Sequence, residues 1–318
     1  MKLGHSNVRG LALVLCVASC TGNSMGPSQG GHPLGTAITS VPVANGPWGS
    51  RISSKGLAYM TRPLTDSVAH IDITGPSVIG SFAVGNRPDD IWFNASGSTA
   101  FVTNLNDHTV GVINTSTNTQ TATYPVAGEP LRLLLGPGET KLYVTLNGGA
   151  VAVLNASTGA LDTTLSVPGA PNGIVMNSQG TRVYVSATSG SVTEIATTSD
   201  SITHSFLEGG TPQDIVVSAN GNTLYTANES GWVDIRNVQT GTRTDSIPVP
   251  GAFGLALTTD ETQLWVTQSS AGSVTVIDLA HRTLTPVPTL GTPRHISFTP
   301  DGRAALVANE AGFAQVIR

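Results

Sequence analysis

Three residues near the C-terminal end of the chain, Arg294, His295 and Glu310, have the side chains that hydrolysis of a polar bond requires. The guanidinium would supply a cation, the imidazole would act as general base, and the carboxylate would be the partner of that base. Arg294 and His295 open one predicted strand and Glu310 follows the next. Because paired antiparallel strands bring the start of one beside the end of the other, we expect these side chains to meet. They form a candidate hydrolytic site.

The elements that would position this trio belong to a repeat. A triplet of an aromatic residue followed mostly by Val and Thr recurs every 40 to 42 residues, starting at Tyr59, Phe101, Tyr143, Tyr184, Tyr225, Trp265 and, most degraded, Leu306. A period near 40 to 45 residues in a strand-rich chain is typical of propeller blades, which bury their faces only against their neighbours. Charged residues make up only 11% of the chain, and 36 glycines punctuate it. We predict an all-β fold, a seven-bladed β-propeller with four-stranded blades, over residues 38–318.

The last repeat ends after its third strand, so its blade lacks an outer strand. The segment 41–47 matches the segment 124–130, which ends one blade and opens the next. We therefore expect a strand near Val41 to complete the seventh blade and to cover an edge that would otherwise be exposed.

Further polar residues are expected around the axial opening of the ring, where propellers form concave sites. The candidates for ligand binding are Asp90, Arg132 and Asp214, which open innermost strands, and Asn104, Asn147, Asn228, Glu229, Gln268 and Asn309, which follow second strands. Such a polar ring either binds a ligand or holds only water. The histidines lack the spacing of metal ligands, and no haem, metalloprotease, nucleophile-elbow or nucleotide motif occurs, so we expect no metal and no cofactor.

The first twenty residues have the composition of an export signal. Lys2 and Arg9 precede a short apolar run at 11–17, and small residues lead to Cys20. This resembles a bacterial lipoprotein signal, in which the cysteine is acylated and becomes the mature N-terminus; an ordinary secretory signal cut nearby is the alternative. We predict a signal peptide at 1–19 and a flexible Gly/Ser/Pro-rich tether at 20–37.

The net charge of the chain makes some classes of binding partner unfavourable. Removing residues 1–19 takes away Lys2 and Arg9 and lowers the formal net charge of −5 by two, to −7. A chain this acidic is a poor partner for nucleic acid or for an anionic membrane surface. Membrane contact would come from the lipid on Cys20, and we expect a monomeric ring whose partner, a small molecule or a protein, binds at the channel mouth.

The repeats resemble seven-bladed propellers of YVTN repeats, the group often called YncE-like; Phe101-Val102-Thr103-Asn104 is the closest copy of the naming motif. This resemblance implies an extracytoplasmic propeller and little about chemistry. We expect a lipid-anchored binding scaffold at the outer membrane, facing periplasm or medium and without catalytic activity.

The alternative function rests on a single blade. Pro293-Arg294-His295, Pro300-Asp301-Gly302 and Asn309-Glu310 resemble one blade of the seven-bladed lactonases of sugar lactones, where the Arg, His and Glu belong to the site. That resemblance implies a lactonase-like hydrolase that uses the candidate trio.

Replacing the acylated cysteine tests the anchor. We expect Cys20→Ala to release the protein from membranes, because the thiol that carries the lipid is missing. Cys16→Ala, inside the leader, is the matched control and should fractionate with membranes like the unaltered protein. Identical soluble fractionation of the unaltered protein and Cys20→Ala would contradict lipidation.

Overall fold

The computed structural model describes residues 32–33 and 35–318, so the predicted signal peptide, Cys20 and most of the predicted tether lie outside the described residues. The regular secondary structure of the described chain consists of strands and one short 3₁₀ turn at Pro137–Glu139. Its strands form seven four-stranded antiparallel sheets. The predicted all-β, seven-bladed β-propeller is therefore confirmed.

The strands are numbered along the chain, and each sheet is one blade. Blade 1 contains β2 (Ser50–Ile52), β3 (Ala58–Arg62), β4 (Ser67–Asp72) and β5 (Ser77–Ala83). Blade 2 contains β6 (Pro88–Phe93), β7 (Thr99–Asn104), β8 (Thr109–Asn114) and β9 (Thr119–Pro125). Blade 3 contains β10 (Pro130–Leu135), β11 (Lys141–Leu146), β12 (Ala150–Asn155) and β13 (Leu161–Ser166). Blade 4 contains β14 (Pro171–Met176), β15 (Arg182–Ala187), β16 (Ser191–Ala196) and β17 (Ser201–Leu207).

Blade 5 contains β18 (Pro212–Val217), β19 (Thr223–Asn228), β20 (Trp232–Asn237) and β21 (Arg243–Pro248). Blade 6 contains β22 (Ala252–Leu257), β23 (Gln263–Gln268), β24 (Ser273–Asp278) and β25 (Leu284–Pro288). Blade 7 contains β26 (Pro293–Phe298), β27 (Ala305–Asn309), β28 (Phe313–Ile317) and, as its outer strand, β1 (Ile38–Pro42).

The ring closes through β1. This strand pairs antiparallel with β28, and Val41 lies opposite Ala314. Val41 is buried in one apolar cluster with Met60 of blade 1 and Val316 of blade 7. The predicted closure is confirmed, because the N-terminal strand both completes blade 7 and covers the edge of β28.

The aromatic residues of the repeat hold neighbouring blades together. Tyr59 of blade 1 is fully buried in a cluster that also contains Ile91 and Val102 of blade 2. Trp265 of blade 6 is likewise buried against Val307 of blade 7. Fully burying one such apolar side chain contributes roughly 1.5–3 kcal/mol. Each blade therefore depends for its stability on the next.

The threonine of the repeat adds a polar bond between blades. Thr103 Oγ1 accepts a hydrogen bond from Asp90 N at 2.8 Å and donates one to Leu131 O of the next blade at 2.8 Å. Thr61 and Thr267 bridge their neighbouring blades in the same way. The hydroxyl satisfies an N–H and a carbonyl that a bulge in the innermost strand removes from the ladder, as between Pro88 and Ile91.

Blade 5 lacks this bond because the third position of its triplet is not threonine. Ala227 occupies the third position, and the hydroxyl of Thr226 is buried without a hydrogen-bond partner among the described residues. Thr226 therefore supplies a matched control for the bridging threonines.

We expect Thr103→Val to destabilise the fold by about 1–3 kcal/mol, because it leaves a buried N–H and a buried carbonyl unpaired. Thr226→Val should leave stability unchanged or raise it, because it removes a buried hydroxyl that makes no bond. Urea or thermal unfolding of the two variants measures both effects. Equal losses would show that the hydroxyl bridges contribute nothing specific.

Candidate functional site

Two tiers of residues surround the channel, at or just before the starts of the innermost strands. The outer one, which we call the mouth tier, consists of Trp48, Asp89, Leu131, Asn172, Gln213, Phe253 and Arg294. The next residue of each strand forms the inner tier, which consists of Gly49, Asp90, Arg132, Gly173, Asp214, Gly254 and His295. The repeat places equivalent residues at equal depth, so Asp90, Arg132, Asp214 and His295 from four different blades line one cavity.

Arg132 joins opposite sides of the channel. Its Nη2 donates a hydrogen bond to His295 Nε2, which links blade 3 to blade 7. Its Nη1 lies 3.9 Å from Asp89 Oδ2 and 3.9 Å from Asp90 Oδ1. Arg132 and His295 thus form a bridge between the mouth and a cavity of about 110 Å³ below it, and both side chains line that cavity.

His295 is held in its neutral form. Burial and the charges of Arg132, Arg51 and Arg294 lower its pKa well below the ordinary 6.5. Since a guanidinium can only donate, His295 Nε2 must be the acceptor and Nδ1 carries the proton. The lone pair that a general base would use is therefore occupied by Arg132.

Arg294 and Glu310 meet at the mouth as the sequence predicted, but they pair with each other. Arg294 Nε and Nη2 donate to Glu310 Oε2 at 2.8 and 2.6 Å. The guanidinium carbon lies 4.3 Å from the centre of the Trp48 ring and 4.8 Å from that of Phe253. His295 follows Arg294 in the strand and makes no hydrogen bond to Glu310 within the described chain. The structure thus brings together two members of the predicted trio and turns the third toward Arg132.

Asp90 and Asp214 bind the backbone of the neighbouring blade. Asp90 Oδ2 accepts a hydrogen bond from Leu133 N at 3.3 Å, and Asp214 Oδ2 accepts one from Leu255 N at 2.9 Å. Burial nevertheless raises the pKa of Asp214, although Arg132 opposes the shift. These two predicted site residues line the cavity, and each also fastens an innermost strand to the next one.

Four of the predicted amides are buried in the loops of the mouth face, namely Asn104, Asn228, Gln268 and Asn309. Asn228 Oδ1 accepts from Thr211 N at 2.7 Å, and Asn309 Oδ1 accepts from Thr292 N at 2.8 Å. Gln268 Nε2 donates to Pro250 O at 2.9 Å. Asn228, Gln268 and Asn309 therefore fix loops that lead into innermost strands. Asn104 differs, because its Nδ2 donates to Thr109 Oγ1 at 3.2 Å and its Oδ1 has no hydrogen-bond partner among the described residues.

The remaining two candidates lie nearer the surface. Asn147 Nδ2 donates to Glu129 Oε2 at 2.8 Å; Asn147 is exposed and Glu129 is half-buried. Glu229 Oε2 accepts from Gln213 Nε2 at 2.6 Å, which ties it to the mouth tier. Of these two, only Glu229 is connected to the channel.

Asp89 differs from the other channel carboxylates. It is only 8% exposed, and among the described residues no group donates a hydrogen bond to its carboxylate oxygens. Burial raises its pKa to about 6, against the opposing charge of Arg132. Asp89 borders a mouth pocket of about 190 Å³ that is also lined by Gly46, Trp48, Pro63, Leu64, Arg87 and Glu310.

Trp48, Leu64 and Arg87 were not among the predicted site residues. Trp48 occupies the same tier as Asp89, so aligning the repeats by their innermost strands would have identified it. Leu64 and Arg87 lie in loops whose sequences differ from blade to blade, so the repeat pattern does not predict them.

The described part of the chain contains no cluster of three or more His, Cys, Asp or Glu side chains that could hold a metal ion. Within the same residues, no helix has the length and apolar character needed to span a membrane.

Comparisons with known proteins add support for the fold. No family model matches the chain, and no curated protein matches it. Among solved structures, a chain of Kuenenia stuttgartiensis hydrazine synthase is similar with a TM-score of 0.78 and 18% sequence identity, over 86% of this chain and 96% of that one. At this identity the likeness shows a shared propeller fold alone.

We expect the His295 ring to remain neutral through pH 6.5, where an ordinary histidine is half protonated. Because the unfolded chain binds this proton more readily, His295 should reduce stability as the pH falls below about 6.5. NMR of the ring nitrogens, assigned with His295→Gln, measures the titration directly. Half-titration near pH 6.5 would contradict the bridge to Arg132.

Proposed function

We propose that this protein is a non-catalytic binding module whose small-molecule ligand occupies the mouth pocket and bonds to Asp89. The observation that carries the proposal is the carboxylate of Asp89, which is nearly buried, borders the pocket and receives no hydrogen bond from the described residues.

The energetic cost of ionising Asp89 in the folded protein favours a ligand that donates a hydrogen bond to its carboxylate. The pKa of Asp89 is raised from 3.8 to about 6, so ionisation at neutral pH costs the folded protein roughly 3 kcal/mol. A ligand N–H or O–H that donates to Asp89 would offset part of that cost. Carboxylates with strongly raised pKa values cluster at functional sites.

The pocket limits the size and character of the ligand. A volume of about 190 Å³ lies below the 300–1,000 Å³ typical of drug-sized ligands. An engineered cavity of about 150 Å³ holds benzene, so we expect a ligand of about ten or fewer non-hydrogen atoms. Trp48 and Leu64 offer apolar contact, while Arg87 and Asp89 offer opposite charges at the same wall. A small polar molecule with at least one donor fits this wall.

Two contacts favour binding over hydrolysis. Arg294 and Glu310 neutralise each other, and the acceptor nitrogen of His295 is engaged by Arg132. The lactonase-like activity that one blade suggests therefore stays a prediction from sequence, and no contact at the mouth favours it.

We further propose that the propeller is exported and anchored through Cys20 at the outer membrane, as a member of the YVTN-repeat group. The repeats and the residues before Cys20 support this proposal. The start of the described chain agrees with it, because Ala37 pairs with Arg318 at the end of β28, on the face opposite the mouth. A tether leaving there would keep the mouth directed away from the membrane.

Asp89→Asn tests the pocket because the amide keeps the shape and removes the charge. A panel of monosaccharides, primary amines and small amides is screened against the protein by saturation-transfer NMR and tryptophan fluorescence. We expect at least one saturable ligand, weakened about tenfold or more by Asp89→Asn and unchanged by Asp162→Asn, an exposed aspartate of blade 3. No saturable ligand, or equal affinity in both variants, would contradict the proposal.

Stability supplies a readout that needs no ligand. Asp89→Asn should be more stable than the unaltered protein at pH 7, and the difference should shrink as the pH falls from 6 towards 4, where Asp89 becomes protonated. Asp162→Asn should show no such dependence on pH.

A further inference from the structure

A second cavity lies on the face opposite the mouth, at the junction where blade 7 meets blade 1. We call it the basic cleft; its volume is about 590 Å³, and its walls come from the β2–β3, β4–β5 and β26–β27 turns and the end of β28. This volume is within the range typical of sites for small organic ligands.

The cleft concentrates positive charge in an acidic protein. Lys55, Arg303 and Arg318 line it, and Asp301 is the acidic side chain on the same wall. None of the three cations has an acidic partner within 4 Å among the described residues, whereas seven other described Lys and Arg side chains do. The chain has only 15 Lys and Arg against 20 Asp and Glu, so this grouping leaves a local positive field.

One of the cations is held in place. Arg318 Nη2 donates to Ile73 O and also, at 3.3 Å, to Thr74 O. Its remaining N–H groups make no hydrogen bond to the described protein. A guanidinium fixed at one edge is preorganised for an oxyanion at the other, and its planar fork matches phosphate oxygens.

One oxygen of the acidic side chain is already hydrogen-bonded. Asp301 Oδ1 accepts a hydrogen bond from Thr299 Oγ1 at 2.6 Å and from Arg303 N at 3.1 Å, and these bonds lower its pKa. The main-chain oxygen of Arg318 accepts from the N–H groups of Thr36 and Ala37. Asp301 Oδ1 and the main-chain oxygen of Arg318 are therefore occupied, and the N–H donors of the three cations are directed to other acceptors.

We propose that the basic cleft is a binding site for a phosphate group, carried either by a soluble phosphate ester or by a phospholipid headgroup. Lys55 and Arg303 attract the anion from two turns, and Arg318 receives it with its fixed guanidinium. The site is independent of the mouth pocket, since the two share no residue and lie on opposite faces of the ring.

The test removes two charges from the cleft while leaving Arg318 and its backbone contacts intact. Binding of sn-glycerol 3-phosphate is measured by calorimetry on the full chain, and binding to vesicles by flotation, with phosphatidylcholine alone or mixed with phosphatidylglycerol. We expect Lys55→Gln/Arg303→Gln to weaken binding of the phosphate probe about tenfold. Binding should also weaken as salt rises from 50 to 500 mM.

Matched variants keep the result interpretable. Arg62→Gln/Arg282→Gln removes two charges outside the cleft and should bind like the unaltered protein; Lys55→Arg/Arg303→Lys keeps the charge and should retain most of the affinity. Cleft-dependent binding to glycerol phosphate alone identifies a soluble ligand, and cleft-dependent flotation with anionic vesicles identifies a lipid surface. Absence of saturable binding in both arms, or equal losses in the two charge-removing variants, would overturn the proposal.

Discussion

Each blade of this protein has two apolar faces, and the structure depends on covering both with the neighbouring blades. A four-stranded sheet such as β6 to β9 cannot exclude water from Ile91 and Val102 by itself, so stability comes from the contact with Tyr59 of the preceding blade. In an open row of blades, each end blade would keep one uncovered face. Only a closed ring covers both faces of every blade. Ring closure explains why the N-terminal strand β1 belongs to blade 7, although the strands that follow β1 in the sequence form blade 1.

The ring brings the starts of the innermost strands together around one axis, which has an electrostatic consequence. Asp90, Arg132, Asp214 and His295 are at equivalent positions of four blades and line one cavity of about 110 Å³. Buried charges are tolerated only when they are paired or hydrogen-bonded. Backbone N–H groups of the next blade donate hydrogen bonds to Asp90 and Asp214, and Arg132 donates one to His295. Asp89 receives no hydrogen bond from the described residues and has only the Arg132 guanidinium as an ion partner, at 3.9 Å. This difference distinguishes the mouth from the rest of the channel.

The two faces of the ring differ in the chemical character of the side chains that they present. The mouth combines an aromatic wall, a neutralised Arg294–Glu310 pair and one unsatisfied carboxylate, whereas the opposite face concentrates three cations at the closing junction. Net charge alone predicts an acidic protein that avoids anions. The cleft departs from that expectation because Lys55, Arg303 and Arg318 are distant in sequence and meet only when blade 7 closes against blade 1.

Much of the fold follows from the sequence by itself. The 40 to 42 residue period determined the number of blades, and the incomplete last repeat determined that a strand near Val41 closes the ring, because an open blade edge must be covered. The repeat also determined which residues line the channel, since equivalent positions of each strand lie at equal depth. Tertiary structure alone decided what those residues do. Whether His295 is a base or an acceptor depends on Arg132, which reaches it from a blade on the opposite side of the axis. Whether Asp89 is satisfied or exposed to a ligand depends on burial and on which N–H groups come within reach. Hydrogen bonds and desolvation act over a few ångströms. Residues more than a hundred positions apart in the chain come that close only in the closed ring.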